Sequence, residues 1–225
     1  MPRMSPGRKL REKKVAAAAP VKAARVRRRR SPELAELEIL DAAEKLLRRY
    51  AFHELTVADV MAETGLARPS FYQYFPDLHQ LLAKLTERYI AEVVSIAETR
   101  IDISADPVEP NARERLLVAY EEGCRLIRKR RHLHRALVDA APGDPSVERI
   151  HRRYMNMMAG FLEKQLRAAQ AQGHASKLEP KETARALQLM GEHYIIEKLV
   201  KRTGSDVAEV AGTLVAIMQT VLFSP

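Results

Sequence analysis

The segment from residue 68 to residue 74 has the side chains best suited to chemistry. It reads Arg-Pro-Ser-Phe-Tyr-Gln-Tyr. The Arg68 guanidinium can reach O6 and N7 of guanine, and the Gln73 amide can pair with adenine. Hydroxyl groups suit phosphate oxygens or base edges, and three are present: Ser70, Tyr72 and Tyr74. On the outer face of a helix, these groups would form a surface that reads the major groove of DNA.

The residues around this segment fit a helix-turn-helix. Thr56 and Asp59 have the spacing of a capping box at a helix start. Gly65 permits the left-handed conformation that a tight stop requires. A second short helix then follows from about residue 68 to 74, with Phe71 and Phe75 as its core side chains. Two short helices joined in this way form a helix-turn-helix, and a plain helical hairpin with core aromatics is the alternative.

The rest of the chain has the periodicity of helices and few signs of strands. Apolar residues recur at three- and four-residue steps, and helix breakers cluster at 103–110, 141–145, 172–180 and 203–206. We therefore predict an all-α protein of about nine helices. They are placed near residues 32–50, 57–63, 68–74, 78–100, 111–130, 132–139, 146–172, 180–201 and 205–223.

Charge is divided unevenly along the 225 residues. The formal net charge is +9, but residues 1–30 have +11, the remainder −2, and residues 31–80 alone −5. Affinity for DNA depends on phosphates neutralised by Lys and Arg, so we predict that the N-terminal tail supplies much of it. Its arginine run is predicted to enter or straddle the adjacent minor groove: Arg27, Arg28, Arg29 and Arg30. A solvated charge run or an organelle transit peptide are the alternatives.

From Ile39 to Leu85 the chain resembles the N-terminal DNA-binding domain of TetR-family transcriptional repressors. An Ala-rich first helix, Thr-Val-Ala-Asp at 56–59, a Gly corner and Phe-Tyr-Gln-Tyr-Phe at 71–75 carry this resemblance. The sequences at 68–76 and 186–190 are similar to the branch that contains the mycobacterial ethionamide-resistance regulator. Three residues depart from the family pattern, in which a small Ala, a Ser cap and a backbone-binding Lys are usual: Met61, Ala67 and Leu78.

The resemblance implies an N-terminal three-helix DNA-binding domain at 31–77 and a helical ligand-binding and dimerisation domain at 78–225, preceded by a disordered basic arm at 1–30. It implies a ligand-responsive repressor that binds a palindromic double-stranded operator as a homodimer and is released by a small hydrophobic or amphipathic effector. Thr56 would contact phosphate and Tyr74 the DNA backbone. The residues at the major groove would be Arg68, Pro69, Ser70, Tyr72 and Gln73.

Two further sets of residues are predicted in the C-terminal part. The last long helix is apolar on two sides and the one before it has a broad apolar side, and TetR-like proteins dimerise through a four-helix bundle of their last two long helices. The predicted dimer interface is Ile196, Val200, Val207, Val210, Leu214, Met218 and Val221. The predicted ligand pocket is Tyr120, Cys124, Tyr154, Met157, Met158, Phe161, Leu187, Gln188, Met190, His193 and Tyr194. Plain core packing is the alternative for both sets.

A dense basic cluster lies at residues 125–135. Such runs are commonly solvated faces, but this one suits the anionic head of a fatty acid or acyl-CoA effector. Its two histidines, His132 and His134, do not share a helix face, so we expect no metal and no cofactor. The related branch tends to have a tryptophan-rich pocket, whereas this chain has no Trp, so the resemblance does not identify the effector.

Several functional classes are disfavoured. A single cysteine, Cys124, excludes a disulfide scaffold, and no apolar run is long enough to span a bilayer. We therefore expect a cytoplasmic protein without a membrane partner. Enzymes are disfavoured because the common hydrolase, metalloprotease and nucleotide-binding motifs are missing. A sequence-nonspecific architectural DNA-binding protein that acts through its tail remains the alternative to a repressor.

Overall fold

Helices form most of the residues that the computed structural model describes, which are 31–100, 111–202 and 204–222. No strand occurs in these ranges, so the all-α prediction is confirmed. The α-helices are α1 (Pro32–Leu47), α2 (Val57–Ala62), α3 (Leu78–Arg100), α4 (Ala112–Lys129), α5 (Arg131–Ala140), α6 (Pro145–Ala171), α7 (Pro180–Ile195) and α8 (Val207–Leu222). Short 3₁₀ segments lie at Phe52–Glu54, Arg68–Gln73 and Ala141–Gly143, and a π-helical turn at Ile196–Lys201 follows α7.

Most predicted bounds agree with the structure within two residues, and two differ. Helix α1 ends at Leu47 rather than near residue 50, because the next three side chains are exposed and leave no apolar face to bury. The predicted helix at 180–201 changes to the wider π-helical geometry at Ile196. This turn buries two consecutive apolar side chains, Leu199 and Val200, and π-turns inside longer helices are frequent at functional sites.

One hydrophobic cluster connects the N-terminal helices to the C-terminal ones. It extends from Ile39 on α1 through Leu82 and Tyr89 on α3 to Leu137 on α5 and Val200 in the π-helical turn. Helix α3 begins at Leu78 and its buried face belongs to this cluster, and the domain boundary between residues 77 and 78 stays a prediction. A rearrangement among the C-terminal helices therefore has a packed route to α1.

The C-terminal helices pack around α3, α4 and α6. Helix α6 lies against α3 and α7, and α4 lies against α3 and α8. The start of α6 is fixed by Asp144, whose carboxylate accepts from the backbone N–H groups of Ser146 at 2.9 Å and Val147 at 3.1 Å. Within the described ranges, no helix combines the length and the apolar character that crossing a bilayer requires.

Candidate nucleic-acid interface and ligand cavity

The start of α2 is fixed by the predicted capping box. Thr56 Oγ1 accepts from the N–H of Asp59 at 3.2 Å, and the Asp59 carboxylate accepts from the N–H of Thr56 at 2.9 Å. The Thr56 hydroxyl also donates to Asp59 Oδ2 at 2.6 Å. These hydrogen bonds lower the pKa of Asp59. A phosphate that approaches Thr56 must therefore compete with the Asp59 carboxylate for the hydroxyl proton.

The turn after α2 has the geometry that Gly65 suggests. Its φ is +64°, in the left-handed region that glycine adopts without a steric penalty. Thr64 Oγ1 donates to the carbonyl of Met61 at 2.9 Å and accepts from the N–H of Leu66 at 3.1 Å. These two bonds tie the end of α2 to the start of the next segment. The helix-turn-helix prediction is supported in detail here.

The segment predicted as the second short helix is a 3₁₀ helix, Arg68–Gln73. The Ser70 N–H donates to the Ala67 carbonyl at 2.8 Å, and the Tyr74 N–H to the Phe71 carbonyl at 3.0 Å. Ala67 occupies the N-cap position with extended backbone angles, but its methyl side chain accepts no hydrogen bond. Pro69 in the first turn donates none either. The segment thus lacks the capping interaction that usually begins an α-helix.

Two aromatic side chains anchor this segment and leave its polar groups outside. Phe71 is fully buried and Phe75 nearly so, with ring centroids 5.7 Å apart. Tyr72 is 55% exposed. Among the residues predicted to contact DNA, Arg68, Pro69 and Gln73 are also exposed, and Ser70 and Tyr74 are partly buried. The predicted reading residues are therefore exposed or partly buried, and their contact with DNA stays a prediction, while Arg27, Arg28, Arg29 and Arg30 lie outside the described residues.

The acidic residues of this module have structural partners. Asp77 Oδ1 accepts from the N–H of Gln80 at the start of α3, at 2.8 Å. Glu54 accepts from the N–H of Ala51 at 2.7 Å. Glu63 forms an ion pair with Lys45. Carboxylates at helix N-termini are favoured by the helix dipole, so much of the −5 charge at 31–80 serves the local fold rather than the exposed reading face.

A cavity of about 90 Å³ lies among the C-terminal helices α3, α4, α6, α7 and α8. Most of its lining is apolar. It contains eight of the eleven residues predicted for the ligand pocket: Tyr120, Cys124, Tyr154, Met158, Phe161, Leu187, Gln188 and Met190. The other three predicted residues do not line the cavity. Met157 and His193 are exposed, and Tyr194 packs against a neighbouring apolar cluster that includes Leu199 and Val207.

Sequence reasoning missed the contributions of two helices to this cavity. Helix α3 adds Val93, Ile96 and Ala97, and α8 adds Leu214 and Met218. No motif marks these side chains, since each belongs to an ordinary apolar stripe. Leu214 and Met218 were predicted for the dimer interface instead. The sequence does not say which helices pack against each other, and this information comes only from the folded structure.

Most residues predicted for the dimer interface have no exposed surface left for a partner. Their side chains are at most 6% exposed within one chain: Val200, Val207, Val210, Leu214 and Met218. Ile196 and Val221 are partly buried. Helix α8 packs this face against α4 and the cavity, so the assignment of these five residues to a subunit interface is corrected to the core of one chain.

A buried polar network at the edge of the cavity connects four helices. The hydroxyl of Tyr154 on α6 donates to Glu192 Oε2 on α7 at 3.1 Å. His134 Nε2 on α5 lies 2.9 Å from Glu192 Oε1, and His134 Nδ1 lies 2.8 Å from the hydroxyl of Tyr89 on α3. Burial raises the pKa of both tyrosines well above the usual value. Glu192 and Tyr154 also line the cavity.

The predicted basic cluster does not line this cavity. Arg130 donates to Glu44 on α1 at 2.8 Å and to Glu92 on α3 at 3.0 Å. Further members of the cluster pair nearby, Arg125 with Glu121 and Arg135 with Asp139. The cluster therefore gives no support to an anionic effector head at the cavity. Its two histidines point in different directions, His132 toward Glu44 and His134 toward Glu192, and no metal-binding group of acidic, His or Cys side chains occurs in the described ranges.

Comparisons with known proteins agree with these observations. Residues 39–85 match the sequence profile of bacterial regulatory proteins of the tetR family. The HTH-type transcriptional regulator EthR of Mycobacterium tuberculosis is 28% identical over 194 residues, which cover 84% of this chain and 87% of the relative. Such a relative is a regulator rather than an enzyme.

Two solved structures have a similar fold. A putative transcriptional regulator from Saccharomonospora viridis, in complex with choline, has a TM-score of 0.67 and 18% identity over 83% of this chain and 96% of its own. SmeT, the repressor of a multidrug efflux pump of Stenotrophomonas maltophilia, has a TM-score of 0.64 and 18% identity over 84% and 93%. Residues 39–85 thus match the tetR family, and over most of its length the chain is similar to a TetR-family transcriptional regulator in sequence and in fold.

Proposed function

We propose that this regulator is a repressor that binds a palindromic operator as a homodimer and releases it when a small hydrophobic or amphipathic effector enters the cavity. Residues 31–77 serve as the DNA-binding domain, residues 78–225 as the effector-binding and dimerisation domain, and residues 1–30 as a basic arm. The observation that carries the proposal is the contact chain between cavity and DNA-binding domain. Glu192 on α7 contacts His134 on α5. His132 on α5, and Arg130 directly before α5, both contact Glu44 on α1.

This contact chain gives effector binding a route to the DNA-binding helices. Arg130 Nη1 lies 2.8 Å and 2.9 Å from the two Glu44 oxygens, and His132 Nε2 lies 3.2 Å from Oε1. An effector that displaces Glu192 would also displace the start of α5, where Arg130 and His132 contact Glu44 on α1. An effector releases DNA only if it binds the DNA-free arrangement more tightly than the DNA-bound one, since equal affinity for both shifts nothing.

The cavity volume supports such a shift. Sites for drug-sized ligands usually measure about 300–1,000 Å³, whereas this one measures about 90 Å³. Three flexible methionines line it, Met158, Met190 and Met218, and methionine repacks readily around irregular ligands. A larger effector must therefore push α6, α7 and α8 apart, which is the kind of change that the contact chain transmits to α1.

The operator is best identified by selecting DNA from a random pool with the purified full-length chain. The exposed face of Arg68, Tyr72 and Gln73 is expected to select a palindrome whose half-sites lie about one helical turn or more apart. Bound operator should then resist competition by random duplex. Equal displacement by random duplex would contradict the proposal and favour a sequence-nonspecific architectural protein.

The basic arm is tested separately. Counterion release predicts that the logarithm of affinity falls with the logarithm of salt concentration in proportion to the phosphates neutralised. Removal of residues 1–30, which have a net charge of +11, should flatten this slope while the preferred operator sequence stays the same. An unchanged slope would mean that the arm does not contact DNA.

The homodimer has a candidate surface that differs from the residues first predicted. Helix α7 exposes an apolar stripe in the single chain, with Ala186, Leu189 and Met190, and α8 exposes the small side chains Ala216 and Thr220. TetR-family dimers use the last two long helices, and small residues allow close helix approach. A C2 arrangement of α7 and α8 would bury both faces at once.

The dimer surface is tested by a charge substitution and a matched control. Leu189 is 54% exposed on α7, and Val118 is 50% exposed on α4. Sedimentation analysis should show Leu189→Glu as a monomer and Val118→Glu as a dimer at the same concentration. A dimeric Leu189→Glu variant would place the subunit interface elsewhere.

A further inference from the structure

Glu192 is the one acidic side chain among the described residues that line the cavity. It is only 5% exposed. The remaining polar lining consists of Gln188, Tyr120, Tyr154 and Cys124, and no lysine or arginine contributes. Burial raises the pKa of the Cys124 thiol to about 12 and raises that of Tyr120 further. These two groups therefore stay neutral near pH 7, and the carboxylate dominates the electrostatics of the cavity.

The Glu192 carboxylate is incompletely satisfied by its own chain. Oε2 accepts from the Tyr154 hydroxyl. Oε1 lies 2.9 Å from His134 Nε2, but the two atoms are not aligned as a hydrogen bond and neither has another partner in the described chain. Two lone pairs at that distance would repel, so Nε2 carries a hydrogen. The contact between His134 Nε2 and Glu192 Oε1 is therefore electrostatic with poor hydrogen-bond geometry, and Oε1 can still accept a hydrogen bond from a ligand.

Two histidines and one hydroxyl group lie around the Glu192 carboxylate. The Tyr89 hydroxyl lies 2.8 Å from His134 Nδ1, so the imidazole also has a hydrogen-bond partner at its other ring nitrogen. Burial lowers the pKa of His151, the other histidine that interacts with Glu192. Although burial disfavours a charged carboxylate, the two histidines and the Tyr154 hydroxyl together hold the pKa of Glu192 below its usual value. An anionic carboxylate therefore borders an apolar cavity.

An anion of this kind favours one type of ligand head over others. A buried charge is costly unless a second charge and a hydrogen bond compensate it. A protonated amine supplies both, and the aromatic lining of Tyr120, Tyr154 and Phe161 adds favourable cation–π contacts. A carboxylate or phosphate head would instead face a like charge with no base in the described lining. A neutral alcohol supplies the hydrogen bond but not the charge.

We propose that the effector of this protein is an apolar molecule with a single protonated amine, whose N–H group binds Glu192 while its hydrocarbon part fills the space among α3, α4, α6, α7 and α8. This inference rests on the proposed function, because it names the class of effector for the same cavity. It replaces the fatty acid and acyl-CoA candidates that the basic cluster suggested. A cationic head at Glu192 also competes with His134 for Oε1 and so acts at the first contact of the chain that leads to α1.

The test compares three probes with the same alkyl chain and different heads: octylamine, 1-octanol and octanoate. Binding to the full-length protein is measured by calorimetry near pH 7. A hydrogen bond to a charged group corresponds to a preference of about tenfold to hundredfold. Octylamine should therefore bind at least tenfold more tightly than octanol, and octanoate should bind most weakly. Octanoate binding as tightly as octylamine, or no binding of octylamine, would overturn the inference.

Two variants test whether Glu192 is responsible for the preference for octylamine over octanol. Glu192→Gln keeps the shape and can still accept from Tyr154, so it should reduce octylamine affinity at least tenfold and leave octanol affinity within about threefold. Glu197→Gln removes the same charge from the neighbouring π-helical turn, where Glu197 pairs with Lys201, and should change neither. A persistent amine preference in Glu192→Gln would overturn the inference even if that variant is less stable, provided that it binds octanol.

The proposed function has its own readout. Operator selection and the salt dependence of DNA binding are measured without any effector, so they do not depend on Glu192. If the protein selects a palindrome but prefers octanoate, the repressor proposal stands and the effector class is wrong. If it selects no operator, the repressor proposal fails whichever probe binds.

Discussion

The DNA-facing module and the cavity are built by opposite strategies. The module has most of its predicted DNA-contacting side chains within seven consecutive residues, 68–74, which are anchored by two buried rings, Phe71 and Phe75. The cavity takes its lining from five helices that are distant in the sequence. The first arrangement is local and exposed, and the second is nonlocal and buried. We therefore expect a substitution in the module to act on DNA binding directly, and one near the cavity to act through packing and charge.

The strongest test of the module is the removal of its anchor. Phe71→Ala should destabilise the protein by about 3–5 kcal/mol, because it leaves a cavity under the reading segment. DNA binding should be lost along with the order of that segment. Thermal unfolding and operator titration measure the two effects. Tyr72→Ala is the matched control, since Tyr72 is 55% exposed, and it should weaken DNA binding with little change in stability.

The next test addresses the contact between Glu44 on α1 and Arg130, which connects the DNA-facing module to the C-terminal helices. Burial by itself raises the pKa of Glu44, but the Arg130 charge and the hydrogen bonds from His132 and Arg48 outweigh it and lower the pKa below 4.5. A carboxylate with a lowered folded-state pKa stabilises the protein above its unfolded pKa, and this stabilisation is lost as pH falls through the folded value. Glu44→Gln should therefore cost about 1.5–3 kcal/mol at pH 7.

The pH dependence makes this test specific. The stability difference between the wild-type protein and Glu44→Gln should shrink steadily below pH 4.5 in urea unfolding. Glu63→Gln breaks the more exposed pair with Lys45 and should cost less than about 1 kcal/mol. If the two variants were equally destabilised at pH 7, the contact between α1 and Arg130 would be no stronger than a surface ion pair.

The reading face itself is tested by Arg68→Ala. If Arg68 contacts guanine, its removal should weaken operator binding about tenfold to hundredfold and relax the sequence preference at one position of each half-site. Arg88→Ala removes an exposed charge from α3 and should reduce affinity only slightly and equally for all sequences. Uniform weakening by Arg68→Ala would reassign this side chain to the phosphate backbone.

The smallest expected effect is a gain in the stability of the folded protein. Ala67 has the backbone angles of an N-cap but no side-chain acceptor. Ala67→Ser should supply that hydrogen bond and stabilise the protein by about 0.5–2 kcal/mol. Ala62→Ser, at the exposed end of α2, lacks a free N-terminal N–H to cap and is the control. Equal unfolding temperatures for the two variants would show that the 3₁₀ segment does not need a cap.

The same contrast explains what the sequence could predict. Capping, the glycine turn and the aromatic anchors act over a few residues, so the cap at Thr56, the turn at Gly65 and the burial of Phe71 were predicted correctly. The all-α fold and most helix bounds followed from apolar periodicity. Periodicity does not say which helix a stripe faces, and for this reason Leu214 and Met218 were assigned to a partner subunit although they line a cavity of their own chain. The Glu192–His134 contact joins residues 58 positions apart and left no local signal.

The small volume of the cavity has a consequence for the rate of the response. A drug-sized molecule needs more room than the cavity of about 90 Å³ provides, so its association must wait for the helices to separate. Binding that requires a conformational change has a lowered association rate constant. Effectors of different size should then share similar association rates and differ mainly in residence time. The duration of derepression would be set by how long the effector stays, rather than by how quickly it arrives.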